Sequence, residues 1–283
     1  MYLPYSLKTL INRFKGVSQK FKIADNCAAI FFTGISQEFV ATMSCVDRCS
    51  PFIQRVKSEA YPELPSLQYC IQFIDESLVE EAVAFMIENF LPNDNMDKAI
   101  GSSTDAETVA AYYFDWKMHL RKGISLAAFI EDHAGNRGRM IACCVLDIDV
   151  KPEKAASLVP LQNLAEKFKL IYRTLDEVMA KRDVFTLYNC DKIIMCYGLT
   201  TLPELQRRGI GTAMLRARAQ VSKLLNIPVS ASVFDGEASQ KTARRCGYET
   251  LAELDLTTYR IDGKIVYPHP SWHIIKWMAI PYY

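Results

Sequence analysis

Gln206, Arg207 and Arg208, followed by Gly209-Ile210-Gly211 and Thr212, are the residues whose types and spacing most readily do chemistry. An apolar run from Lys192 to Leu199 reads as a strand leading into this turn, which Pro203 marks. Ile210, Ala213, Met214, Ala217, Val221, Leu224 and Leu225 recur with a helical period leading out of it. A strand that passes to a helix through small residues leaves several backbone N–H groups without partners at the helix start. The positive end of the helix dipole lies there too, so the turn is an anion site. A nucleoside-triphosphatase loop needs a lysine after its last glycine, and a dinucleotide fingerprint needs a third glycine where Met214 stands. Both are set aside. A nucleic-acid patch built on Arg207, Arg208, Arg216 and Arg218 fits poorly with a net charge of +1 and no interleaved aromatics.

The string Pro203-Glu-Leu-Gln206-Arg207-Arg208-Gly209-Ile210-Gly211 resembles the Gln/Arg-x-x-Gly-x-Gly/Ala signature of the GCN5-related N-acetyltransferases. That resemblance implies acetyl-CoA as co-substrate, with its pyrophosphate on the backbone from Arg207 to Thr212. It also implies that the central-strand residues Leu199, Thr200 and Thr201 border the thioester, and that a backbone N–H near Thr200 or Thr201 polarises its carbonyl. The stretch Gly236 to Tyr248 is similar to the late helix of the family. The usual tyrosine general acid of that helix falls at Ala243 here, so Ser239 is the nearest group to protonate the departing thiolate.

A narrower resemblance lies upstream. Glu88 to Ile100 is similar to the helix-end segment of the insect-type arylalkylamine N-acetyltransferases, and Pro268 to His273 is similar to their closing strand. The likeness runs from about Leu67 to Tyr283. It implies a primary amine acceptor and places Asp94 at the position of the family's glutamate base, with Asn95 where a proline is usual. An amine of high pKa is almost wholly protonated at neutral pH, so a base must take a proton before nitrogen attacks. An aspartate at this kind of turn is also a common local cap. The 14 Tyr, 14 Phe and 3 Trp suit an aromatic amine, yet a polyamine or a protein amine is an alternative acceptor. A non-catalytic acetyl-CoA-binding protein is the competing class.

The elements that must position these residues follow from the periodicity. Leu67–Ile74 alternates as a strand, Ser77 can cap a helix that ends at Leu91-Pro92, and a second helix spans about Ala106–Leu120. Ser125–Glu131 and Met140–Val150 read as a hairpin, and Leu158–Met179 as a helix. Pro228–Phe234 reads as a strand, Gly236–Cys246 as a helix closed by Gly247, and two strands near Glu249–Arg260 and Ser271–Ala279 end the chain. The fold class is α/β: a mixed, mostly antiparallel twisted sheet of about seven strands with helices on both faces, as in the acyl-CoA N-acyltransferase fold.

Residues 66–283 of the 283 are expected to form the catalytic domain and residues 1–65 an N-terminal extension, joined near Pro62-Glu-Leu-Pro65. The basic, acid-free start from Met1 to Lys22 has a transit-peptide character as a second reading. Nine scattered cysteines without a Cys-x-x-Cys pair point to reduced thiols in the cytoplasm. No metal is expected, because Pro270 keeps His269 and His273 off a common helix face. The apolar stretch Cys27–Val46 contains Gln37 and Glu38, so no membrane span is expected, and the protein reads as a monomer.

Overall fold

The structure is a computed structural model and describes residues 52–58, 66–132, 134–151 and 165–283. The basic N-terminal stripe, the apolar stretch Cys27–Val46, the linker Pro62–Pro65 and residues 158–164 of the expected long helix lie outside the described residues.

One sheet carries the molecule. Its strands are β1 (Phe52–Lys57), β2 (Gln68–Phe73), β3 (Leu126–Glu131), β4 (Arg137–Val150), β5 (Lys192–Thr201), β6 (Val229–Phe234), β7 (Glu249–Asp255) and β10 (Ile274–Pro281). Their spatial order is β1-β2-β3-β4-β5-β6-β10-β7. Every neighbouring pair is antiparallel except β5 and β6, which run parallel. Among the described residues the main sheet has eight strands, where about seven are expected. The additional one, β1, falls inside the segment expected to be an extension, so the sheet begins before residue 66. The expected long strand over residues 249–260 stops at Asp255, whose side chain takes the Thr257 N–H and hydroxyl. A small hairpin follows, β8 (Arg260–Ile261) and β9 (Lys264–Ile265), turned by Asp262 and Gly263 in left-handed conformations.

The helices are α1 (Val79–Asn89), α2 (Asn95–Ile100), α3 (Ala106–Leu120), α4 (Glu166–Ala180), α5 (Val184–Tyr188), α6 (Ile210–Leu225) and α7 (Glu237–Arg245). Asp75, not Ser77, caps the short turn of 3₁₀ helix ahead of α1 by accepting from the Ser77 N–H. α1 and α3 bury Val83, Met86, Tyr112 and Trp116 on one face of the sheet, against Cys143 and Val145 of β4. α4 adds Ile171 and Val178 over β5, β6 and β10 on that side. Leu215 of α6 and Ala243 of α7 pack with Phe234 and Met278, so helices cover both faces. Ile193, Ile194, Met195 and Cys196 of β5 are accordingly buried on both sides, the continuous apolar run expected of a central strand.

Two local features shape the centre. β5 pairs with β6 only at Ile194↔Ser230 and Met195↔Ala231. Beyond that point β6 stays with β10, through Ser232↔Met278, Val233↔Trp277 and Phe234↔Lys276, while β5 runs on to Thr201 beside β4. The two parallel strands part like a V. The second feature is a bulge: Val145 faces Gly198 and Leu146 faces Cys196, leaving Tyr197 as the additional residue.

Candidate functional site

In an open sheet, the crevice beyond the carboxyl ends of diverging parallel strands is where ligands bind. Here that crevice lies past Met195 of β5 and Ala231 of β6. The edge of β5 facing away from β4 loses its strand partner from Cys196 onward. The Ser232 hydroxyl crosses the opening gap to donate to the Cys196 carbonyl at 3.2 Å. Leu199 packs toward α6 and α7, and Thr200 donates its hydroxyl to the Asn89 carbonyl at 3.1 Å, tying β5 to the end of α1. These two expected residues and Thr201 therefore all lie on the opened segment.

The turn after β5 is where an anion is expected from its glycines. Pro203–Leu205 form a short 3₁₀ turn, and Arg207 (φ 63°) and Gly209 (φ 76°) take left-handed conformations. A non-glycine residue held there costs on the order of 1 kcal/mol or more, which is typical of ligand-clamping turns. Among the described residues, none accepts a hydrogen bond from the backbone N–H of Arg207, Gly209, Ile210, Gly211 or Thr212. The first closed helical bond runs from Ala213 to Gly209 at 2.9 Å. Among the described residues, no atom lies within 4 Å of a methyl group built on Gly209 or Gly211, so the surface of the turn is open there. Gln206, Arg207 and Arg208 are exposed or half-exposed around it. The residues present fit an extended di-anion lying along the start of α6.

The acid group at the other lip is larger than expected. Asp94 caps α2, its Oδ1 accepting from Met96 N–H at 3.1 Å and Asp97 N–H at 3.0 Å. Asp235 is the residue directly after β6, and its Oδ2 accepts from Asn95 N–H at 2.9 Å and from the same Met96 N–H at 3.2 Å. The two carboxyl groups thus meet at one donor, the Met96 N–H. Asn95 locks the pair in place: its side-chain amide donates to the Asp235 and Trp272 carbonyls, and its Oδ1 accepts from the Trp272 N–H. Asp94 is half-buried with its carboxyl turned inward. Burial raises that carboxyl well above the ordinary carboxylate range, and the nearby charges of Asp235 and Asp97 raise it further. Asp97, buried and holding the Tyr112 hydroxyl at 3.0 Å, is pushed up to about 6 by burial against the hydrogen bonds it accepts. Asp235 had no signal in the sequence. It belongs to no spacing pattern, and only the return of β6 to the mouth of the V brings it to a residue distant in the chain.

Ser239 lies in the first turn of α7, beside the same mouth. Its hydroxyl donates to the Gly236 carbonyl at 2.8 Å and accepts from the Gly236 N–H at 3.3 Å. In this state the hydroxyl proton is engaged in capping. Ala243 is fully buried against Leu215 and Phe234. Cys196 faces α6, 3.9 Å from the Cys144 sulfur. Burial by itself would raise its thiol, but the Cys144 hydrogen bond and the Arg218 guanidinium bring it down to about 6. It is buried within the α6 side of the sheet rather than presented to the crevice. Among the described residues, no three or more His, Cys, Asp or Glu side chains come together as a metal site, and no helix is long and apolar enough to cross a membrane.

No protein-family model matches the chain, and no curated protein matches it. Solved structures do. The protein provisionally named arylalkylamine N-acetyltransferase 7 from the yellow fever mosquito Aedes aegypti superposes with a TM-score of 0.73 at 24% identity, over 82% of this chain and 95% of that one. Arylalkylamine N-acetyltransferase 2 from Aedes aegypti gives 0.67 at 16% identity, over 76% and 99%. A Drosophila melanogaster polyamine N-acetyltransferase, which forms N-acetylagmatine, gives 0.62 at 17% identity, over 75% and 99%. At these identities the likeness establishes the fold they share.

Proposed function

We propose that this chain, which has the GCN5-related N-acetyltransferase fold, transfers the acetyl group of acetyl-CoA to a primary amine, with arylalkylamines the first class to test. One observation carries the reading: the backbone N–H groups of Arg207, Gly209, Ile210, Gly211 and Thr212 find no acceptor among the described residues, at the end of β5 where it leaves β6. A pyrophosphate bridges neighbouring amides of this kind, and the unpaired β5 edge beside it suits an extended pantetheine arm.

Acetyl-CoA supplies the activated acyl group as a thioester. The chain's part is to take protons, hold the carbonyl and orient the amine. An ammonium substrate must lose two protons on becoming an amide. Asp94 takes the first, directly or through water, and burial raises its affinity for protons above that of an ordinary carboxylate. The second leaves when nitrogen has bonded to carbon, and the sulfur carries it off as free thiol. Ser239 is the nearest hydroxyl for that hand-over, once it releases the Gly236 carbonyl. A backbone N–H on the open edge of β5, near Thr200 or Thr201, would face the negative charge that develops on the carbonyl oxygen.

A polyamine acceptor is the second reading. The paired carboxyls of Asp94 and Asp235, with Asp97 behind them, favour a substrate carrying more than one positive charge.

The deciding experiment measures free thiol released from acetyl-CoA across a panel of arylalkylamines, polyamines and a lysine peptide. Release that depends on an amine supports the reading and ranks the acceptors. Thermal stabilisation by CoA without turnover on any amine would instead establish a binding module. No stabilisation by CoA would overturn the donor assignment as well.

A further inference from the structure

We propose that Trp116 and His119 are positioning residues for acyl transfer: they clamp the bulge residue Tyr197 and so aim the Tyr197–Gly198 peptide at the mouth of the V. The inference rests on the N-acetyltransferase reading above.

The bulge puts two successive residues on one face of β5. Tyr197 packs with the core under α3 and α4, and a methyl group on Gly198 would lie 2.7 Å from Met86 Cε of α1. Their flanking residues, Cys196 and Leu199, both turn to the α6 side. Tyr197 is therefore out of step with the alternation that would otherwise hold it.

Three side-chain contacts fix it instead. The Trp116 indole N–H donates to the Tyr197 carbonyl at 3.0 Å. The imidazole of His119 stacks on the Tyr197 ring, with centroids 4.0 Å apart and planes 18° from parallel. The Tyr197 hydroxyl donates to Asp149 at 2.8 Å. Both clamping residues are themselves immobilised. Trp116 is fully buried, edge-on to Phe90 at 5.6 Å and against Tyr112 at 4.8 Å. His119 has Asp147 on Nδ1 and Asp115 on Nε2, which stops the ring from turning.

The consequence follows from peptide geometry. No peptide bond among the described residues is cis, so the N–H of Gly198 points opposite to the carbonyl of Tyr197. An indole that fixes the carbonyl thereby fixes the direction of the next N–H. This peptide directly follows Cys196, whose carbonyl makes the Ser232 contact across to β6. It is the first peptide of the open edge on which the acyl group is held. Misplacing a reacting group by about 1 Å costs on the order of 100-fold in rate.

The test is Trp116→Phe, which keeps an aromatic ring and removes the donor, with Tyr197→Phe as a milder second variant. Two readouts are needed: kcat and KM for acetyl-CoA, and hydrogen exchange of the Gly198 amide in the free protein. We expect Trp116→Phe to lower kcat about 10- to 100-fold, with KM for acetyl-CoA changed less than about 2-fold, and to speed Gly198 exchange. An unchanged kcat or an unchanged exchange rate overturns the proposal. So does a kcat loss matched by an equal rise in KM, which marks a merely structural role. If the wild-type protein acetylates no amine, the activity reading has failed, and the exchange measurement still decides whether Trp116 holds the bulge. Should Trp116→Phe not fold, Tyr197→Phe carries the same two readouts with a smaller expected loss.

Discussion

Asp94 and Asp235, 141 positions apart in the chain, accept hydrogen bonds from the same backbone N–H, that of Met96, at 3.1 and 3.2 Å. Burial beside the Asp235 charge makes Asp94 hold its proton above the ordinary carboxylate range. The groups facing Asp94 are Asp97 in its own helix, Asp235 after β6, Tyr112 on α3 and Tyr267 before β10, and all are acids.

Asp94→Asn should lose activity and gain stability at once. The amide can still cap α2, but it cannot act as a base, and turnover should fall by at least about 100-fold. The sign of the stability effect follows from linkage. Asp94 has a folded-state pKa above its unfolded one, so its stabilising contribution is full below the ordinary carboxylate range and is lost as pH rises through the raised value. Denaturation midpoints should fall for the wild type as pH rises to neutrality and fall less for the variant. Equal pH dependence in the two proteins would refute this account of the pair.

Asp235→Asn should leave a base in place but weaken it. With one neighbouring charge removed, Asp94 ionises more readily, and the acid limb of the pH–rate profile should move to lower pH. A profile that keeps its midpoint while only its height changes would show that Asp235 does not act on Asp94.

Gly211→Val should separate cofactor binding from folding. Its first side-chain carbon would meet no neighbour within 4 Å among the described residues. The melting temperature should therefore stay close to the wild type, apart from the few tenths of a kcal/mol that helix propensity contributes. KM for acetyl-CoA should rise at least about 10-fold, as expected for blocking close approach of a phosphate to backbone amides. An unchanged KM would remove the turn from the donor site.

Gly198→Ala tests the bulge. The residue sits at φ 148°, and the new methyl would lie 2.7 Å from Met86 Cε and 3.4 Å from Phe90. The Met86 methyl can yield, so the main cost is backbone strain of about 1–3 kcal/mol, read from chemical denaturation. A loss below about 0.5 kcal/mol would mean the strand accommodates a side chain there.

His119 predicts an alkaline loss of stability. Burial pulls its proton affinity down, but Asp115 and Asp147 overcome this and hold it at about 9. Because the folded pKa is raised, the contribution is complete below the unfolded value of about 6.5 and disappears as pH rises through about 9. The ceiling on that loss is on the order of 3 kcal/mol. His119→Gln should flatten stability between pH 7 and pH 10, and a slope as steep as that of the wild type would contradict the assignment.

Much of this could be read in the order of residues alone, and the reason is locality. The turn from Gln206 to Thr212 is a contiguous strand-to-helix junction, so its glycines, its proline and the period of α6 declare an anion site without knowledge of the rest. The apolar faces of α1 and α3 declare helices packed on a sheet in the same way, whereas β2, expected to alternate, is buried on both faces. Asp94 was visible only as a carboxylate at a helix end, able equally to cap or to act as a base. Tertiary structure decided the remainder, because it depends on contacts distant in the chain. Strand order took β6 away from β5 and opened the V. That divergence brought Asp235 onto the N–H of Met96, and a one-residue register shift against β4 turned Tyr197 toward Trp116 and His119. No spacing in a sequence encodes a register shift between strands some 50 residues apart, for only pairing in space determines which residue is left over.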